Sequence, residues 1–240
     1  MLLAILAVGV VAGVVLWVRY LTRRRAFWYR ELTERIPVHA EWWREQREKT
    51  GELLYVAVGD SAAQGIGASR PHRSYSGVIA TRIRKRTGRT VRVVNLGISG
   101  ATVRIAIDKE LPRLKKLRPD ILTVSIGAND IAAFDAQAFE RDIRDLLQQL
   151  PDHAIIADLP TFYFLPAEKR VTTANVILRR VAAERDFTVV PLHARMKRQG
   201  LWGVTTQFAG DLFHPNDRGY RVWASAFLPA VDRRIDELEG

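Results

Sequence analysis

The sequence predicts a doubly wound α/β domain built on a mainly parallel five-stranded sheet, carried behind an apolar amino-terminal segment. Three observations point there. Five short runs, Leu53–Val58, Val91–Val94, Ile121–Ile126, Ala154–Ala157 and Phe187–Pro191, are apolar almost throughout rather than alternating, as expected for strands covered on both faces. Helical stretches at 75–87, 101–117, 135–149, 167–185 and 216–237 separate or follow them, and such alternation gives parallel strands joined by right-handed crossovers. Residues 2–18 contain no charge and almost no polar group.

That first run, extended by Met1 and by Tyr20-Leu21, approaches the ~20 residues that cross a bilayer. Trp17 and Tyr20 stand where an interfacial aromatic belt forms, and Arg19 and Arg23-Arg24-Arg25 follow at once. A cleaved signal peptide carries its positive charge ahead of the apolar stretch. Here the charge follows, and Trp17-Val18-Arg19-Tyr20 is a poor cleavage site. The expectation is an uncleaved single-pass transmembrane helix at 1–22, with the catalytic domain on the cytoplasmic side by the positive-inside rule.

Residues 23–50 interleave aromatics with alternating charges and read as a basic, amphipathic juxtamembrane stalk of two short helices broken near Pro37. Phe27, Trp28, Trp42 and Trp43 can dip into a membrane surface or pack against the domain. From 51 to 240 the alternation continues without an internal repeat or low-complexity segment, giving one catalytic domain.

The chain has 240 residues, 48% hydrophobic and 26% charged, with a net charge of +11. Its basic residues are spread over helical stretches, for example Arg82, Arg84, Lys85 and Arg86. No aromatic platform or zinc-finger spacing accompanies them, so they read as a solvated face and not as a nucleic-acid partner site. Cysteine is absent, which excludes disulfides, a cysteine nucleophile and thiolate metal sites. Nothing in the sequence calls for a metal or a cofactor.

Open parallel sheets bind ligands beyond the carboxyl ends of their strands, and four fragments fall on that edge. Gly59-Asp60-Ser61 follows the first strand, Asn95-Leu96-Gly97-Ile98-Ser99-Gly100 the second and Gly127-Ala128-Asn129-Asp130 the third, while Asp211-Leu212-Phe213-His214 lies in the long connection after the fifth. A serine hydroxyl becomes an effective nucleophile when a base takes its proton during attack. Of the five histidines only His214 has an aspartate three residues before it. Asp211 can thus reach the second ring nitrogen, fix the tautomer and stabilise the imidazolium. His39 and His153 have no partner pattern, whereas His72 and His193 stand near strand ends and stay in play. Oxyanion donors are available in the backbone N–H of Ser61, a glycine N–H and the Asn129 amide.

In these four blocks the chain resembles the SGNH, or GDSL-type, hydrolase family, over roughly residues 53–225. The resemblance implies a flavodoxin-like α/β/α sandwich and metal-free esterase, lipase or related acyl-transfer chemistry. It puts the nucleophile on Ser61, the base and its orienting acid on His214 and Asp211, and the oxyanion hole on Ser61, Gly100 and Asn129. Asp60 receives no catalytic role and is expected to shape the turn. Gly-x-Ser-x-Gly, the nucleophile elbow of the neighbouring esterase superfamily, is absent.

The expected substrate is a small-molecule or lipid ester, cleaved through an acyl-serine. Pro160–Leu165, Trp202 and Phe208 are candidates for lining an acyl pocket. Transfer of the acyl group to a sugar or lipid alcohol, O-deacetylation at the same site, and a non-catalytic membrane-tethered module are the alternatives. A nucleotide cradle at Gly59–Gly67 lacks the lysine and spacing of known phosphate loops.

Overall fold

The computed structural model describes residues 2–163 and 165–240, with side chains from residue 9 onward. Five strands, β1 (Leu53–Gly59), β2 (Val91–Asn95), β3 (Ile121–Ser125), β4 (Ile155–Ala157) and β5 (Thr188–Val190), form one sheet in the order β2-β1-β3-β4-β5. Every pair is parallel. The order reverses at β1, so the first crossover leads outward to β2 and the second returns to β3 on the other side. The crevice of a doubly wound sheet opens at such a reversal.

Eleven α-helical segments are described: α1 (Leu2–Glu34), α2 (Ile36–Glu48), α3 (Ser61–Gln64), α4 (Tyr75–Thr87), α5 (Val103–Ile105), α6 (Leu111–Leu114), α7 (Ala136–Gln148), α8 (Leu165–Ala183), α9 (Leu192–Lys197), α10 (Gly200–Thr206) and α11 (Asp217–Glu239). A π-helical turn, Ala106–Glu110, joins α5 to α6. The sheet is sandwiched. One face buries Val56, Val94, Leu122, Val124 and Ile156 against α5–α8. The other buries Tyr55, Ala57, Val93, Ile121 and Ile155 against α2, α4, α9 and α11. Near-continuous apolarity in the strands is explained by this double cover.

Part of the basic surface is paired. Arg82 meets Asp232 and Arg86 meets Asp236, both at 2.8 Å, tying α4 to α11.

The expected transmembrane helix at 1–22 is not supported. Among the described residues no helix is long and apolar enough to cross a membrane. The apolar run forms the first part of α1, but of its side chains only Gly9–Val18 are described, and the helix continues through Arg19 and Arg23–Arg25 to Glu34. The break between α1 and α2 comes at Arg35, because Pro37 occupies the first turn of α2, where its fixed φ and missing N–H suit a helix start.

Helix α2 packs on the domain. Trp43 is 4% exposed and His39 is 3% exposed. The Trp43 indole Nε1–H donates to the Gln64 carbonyl at 3.0 Å, and His39 Nδ1 lies 3.0 Å from the same oxygen. Two side chains of α2 therefore serve the end of α3, the helix that opens with Ser61. Burial lowers the His39 pKa, in keeping with a neutral ring.

Trp43→Ala is expected to destabilise the protein by about 3–5 kcal/mol, the usual cost of emptying a buried tryptophan site. Chemical denaturation of the variant beside the parent measures it.

Candidate active site

β1 and β3 are in register at Gly59 and Ser125, so the loops leaving them run side by side across the reversal. Asp60 caps α3, its Oδ1 accepting from the Ala62 N–H at 2.8 Å. This fixes Ser61 as the first residue of the helix, where its own N–H has no intrahelical acceptor. The Ser61 side chain faces His214, with Oγ 3.0 Å from Nε2. On the far side of the ring His214 Nδ1 lies 2.6 Å from Asp211 Oδ2. The three side chains form one hydrogen-bonded line.

Local chemistry shapes the Asp211–His214 loop. Asp211 Oδ1 accepts from the backbone N–H of Phe213 and of His214, each at 3.1 Å, a turn that aspartate favours. Leu212 pays for it with φ +58, a left-handed conformation costly for a side chain of this size. Phe213 stands edge-on to the His214 ring at 5.0 Å. Burial opposes charge on Asp211, but the hydrogen bond and charge of His214 and the two backbone donors outweigh it, and its carboxyl is held below the usual range.

The oxyanion candidates are arranged less uniformly. The Asn129 amide nitrogen donates to the Ala101 carbonyl at 2.9 Å and lies 3.4 Å from Asp60 Oδ2. The second contact is weak by distance, which leaves one amide hydrogen able to turn to a better acceptor. Gly100 adopts φ +80, and a Cβ there would meet nothing within 4 Å. Glycine is thus required by backbone conformation and not by crowding. Ser61, Asn129 and His214 line one cavity of about 740 Å³ together with Asp60 and Ala128. Gly100 is outside that lining, one residue from the Ala101 carbonyl that holds Asn129.

The rest of the cavity wall is mostly apolar: Pro160, Phe162, Tyr163, Met196, Leu201, Val204, Phe208, Leu212, Phe213 and Trp223. Of the expected pocket residues, Pro160–Tyr163 and Phe208 are there. Leu165 and Trp202 are not, both being largely exposed elsewhere; Phe164 lies outside the described residues. Leu201 and Val204 belong to α10, a short helix in a stretch read only as a connection.

His193 does not approach Ser61. Its Nε2 lies 2.7 Å from Glu168 Oε1, while Glu168 Oε2 accepts from the Thr161 hydroxyl and the Phe162 N–H, each at 3.0 Å. The pair clamps the aromatic loop of the cavity. His72 lies 6.2 Å from the Trp42 ring, between centroids, in the turn before α4.

Two organising residues carried no sequence signal. Gln64 donates from Nε2 to the Gly97 carbonyl at 2.9 Å and accepts from the Ser99 hydroxyl at 2.7 Å, fastening the glycine loop to α3. Glu110, wholly buried in the π-helical turn, accepts from the Gly59 N–H at 3.0 Å. Burial, with Asp60 nearby, raises its pKa to about 8, and burial likewise raises Asp60 and Asp130 to about 6.

With this geometry in view, the comparisons with known proteins are direct. Residues 57–222 match the model of the GDSL-like Lipase/Acylhydrolase family. The chain belongs to that family. It is an ester-cleaving hydrolase. It is similar to the GDSL-like esterase Rv1075c of Mycobacterium tuberculosis, 25% identical over 216 residues that cover 82% of this chain and 67% of the relative. Among solved structures it resembles LAE5, an alpha/beta hydrolase enzyme from the Lake Arreo metagenome, with a TM-score of 0.64, 24% identity and coverage of 77% of this chain and 97% of the other. It also resembles Axe2, an acetylxylan esterase from Geobacillus stearothermophilus, with a TM-score of 0.61, 21% identity and coverage of 75% and 94%. At these identities the structural matches speak to the fold alone.

Glu110 predicts a particular pH dependence of stability. A folded-state pKa of about 8 exceeds the ordinary 4.5, so between these values the unfolded chain sheds a proton that the folded protein keeps. Stability from this group is therefore full below about 4.5 and lost as pH rises toward 8. Glu110→Gln, which keeps an acceptor for Gly59, is expected to melt several degrees above the parent at pH 8, each kcal/mol being worth about 2–4 °C in a chain of this size. Thermal unfolding from pH 4.5 to 8 should show the gain shrinking toward the acid end.

Proposed function

We propose that the protein is a carboxylic-ester hydrolase working through an acyl-serine on Ser61. The observation that carries the reading is the unbroken hydrogen-bonded line from Asp211 through His214 to Ser61 at the mouth of an apolar cavity. His214 takes the Ser61 proton as Oγ attacks the ester carbonyl, then gives it to the departing alcohol. Asp211 holds the ring with Nδ1 protonated and steadies the imidazolium. The Ser61 and Gly100 N–H groups and the Asn129 amide receive the developing oxyanion, Asn129 giving up its long contact to Asp60. Water activated by His214 then attacks the acyl-serine carbonyl, and the acid leaves.

The cavity favours a medium or long acyl group over acetyl. Its volume is in the range that holds drug-sized ligands, and aromatic and aliphatic side chains supply most of its wall. Sugar O-deacetylation, the reaction named for Axe2, asks for a smaller and more polar site.

Membrane attachment, with the catalytic domain on the cytoplasmic side, belongs to the same reading. Supporting it are the exposed Val10, Val11, Val14, Val15, Leu16, Trp17 and Val18 of α1, followed by Arg19 and Arg23–Arg25. Apolar surface of this extent next to a basic cluster suits a lipid interface.

Hydrolysis of p-nitrophenyl acetate, butyrate and octanoate tests the chemistry. The kcat/KM is expected to rise with chain length. Ser61→Ala and His214→Ala should each lose at least about 10³-fold in kcat, Asp211→Asn about 10²–10⁴-fold, all three remaining folded. Turnover that survives Ser61→Ala would overturn the acyl-serine. For attachment, removing residues 1–22 should move the protein from the membrane to the soluble fraction on sedimentation, with octanoate hydrolysis within about twofold of the parent. A truncated protein that still sediments with membranes would overturn it.

A further inference from the structure

The residues that match the family begin at 57, yet a side chain far upstream reaches the cavity. Arg25 of α1 lines it beside Ser61 and His214. Among the described lining residues Arg25 is the one arginine or lysine and Asp60 the one acid, and the Asp60 carboxyl is turned to the Ala62 N–H and lies near the Asn129 amide. No carboxylate pairs with Arg25 among the described residues, unlike Arg73, Arg82, Arg104 and Arg179 of the folded domain.

The placement of Arg25 has a structural cause. One turn further along, Trp28 lies on the backbone of the Asp211 loop. A Cβ on Gly210 would sit 2.2 Å from the Trp28 ring, so only glycine at 210 admits the indole. Another turn on, Leu32 is 3% exposed. Arg25, Trp28 and Leu32, at i, i+3 and i+7, share one face of the helix. Two of them seat α1 on the domain, and the third is delivered to the cavity mouth.

Resting on the acyl-serine reading, we propose that Arg25 is a specificity residue that selects esters carrying an anionic group on the alcohol part. The apolar wall takes the acyl chain. Arg25 is itself exposed, so the part of the substrate within its reach is the part that stays near water, the alcohol side. A guanidinium there offers a paired donor fork for a phosphate or carboxylate. The substrate class is an anionic amphiphile, such as an acylglycerol phosphate, presented to a cavity whose rim is the helix that carries the apolar amino-terminal run.

The test uses the full-length protein and two esters of one chain length, 1-octanoylglycerol and 1-octanoylglycerol 3-phosphate. The readout is the ratio of kcat/KM for the phosphate over the neutral ester, at low and at high salt. The parent is expected to prefer the phosphate, and Arg25→Ala to lower the ratio about tenfold at low salt, with less effect at high salt. Arg25→Lys should recover part of the preference and Arg25→Glu invert it. A ratio unmoved by Arg25→Ala and Arg25→Glu, in variants that melt as the parent does, would overturn the assignment. Hydrolysis of p-nitrophenyl octanoate that depends on Ser61 reports separately on the parent reading: if it holds while the ratio stays fixed, only the role of Arg25 falls.

Discussion

Everything at this site depends on where the sheet reverses its order. β1 lies between β2 and β3, and its register with β3 at Gly59 and Ser125 sends two loops out side by side from adjacent strands. One loop becomes α3 and starts with Ser61; the other begins the short helix that starts with Asn129. Right-handed crossovers leave these two loops no helix between them, hence the crevice. The remaining parts are brought to that opening: Gln64 fastens the glycine loop to α3, and Asn216 anchors the Asp211–His214 loop by donating to the carbonyls of Thr206 and Phe208.

Beneath the opening lies a layer of carboxyl groups that burial drives toward the neutral form. Glu110, Asp60 and Asp130 each take a backbone N–H of the surrounding loops, from Gly59, Ala62 and Val103. Glu110, with a pKa of about 8, is mostly protonated near neutral pH and holds its loop as an uncharged acceptor, whereas Asp60 and Asp130, raised only to about 6, hold theirs largely as carboxylates. Asp211 is the counter-case. It is buried too, but its contacts with His214 and two N–H donors hold its carboxyl charged. Acids that are all buried thus shift in opposite directions according to the company each keeps.

Much of this architecture was legible in the chain. Continuous apolarity marked the strands to within a residue or two, and the spacing of Asp211 and His214 singled out the histidine that faces Ser61. What escaped were features set by tertiary contact. Glu110 looks in sequence like any charge on an amphipathic helix; only the π-turn rotates it inward beneath Gly59. Gln64 has no pattern at all, because its partners lie in another loop. α10 was hidden because Gly200 and Gly203 weaken its helical signal. The apolar amino terminus argued for a span, but hydropathy cannot see that the same helix continues through the arginines and docks by Trp28 and Leu32. Position alone does not separate His193 from His214, because its partner Glu168 lies on α8, 25 residues back along the chain.

The hydrogen bond between Ser61 and His214 joins residues 153 positions apart. A ribosome releases Ser61 long before His214, and domains begin to fold from the amino terminus during synthesis. While the last connection and α11 are still being made, α3, the glycine loop and the asparagine loop can form, yet Ser61 has no imidazole beside it. The contact between Ser61 and His214 therefore forms late, once the chain has been made past residue 214. A chain cut short before residue 211 would hold Ser61 at the head of α3 with neither His214 nor Asp211 to complete the line.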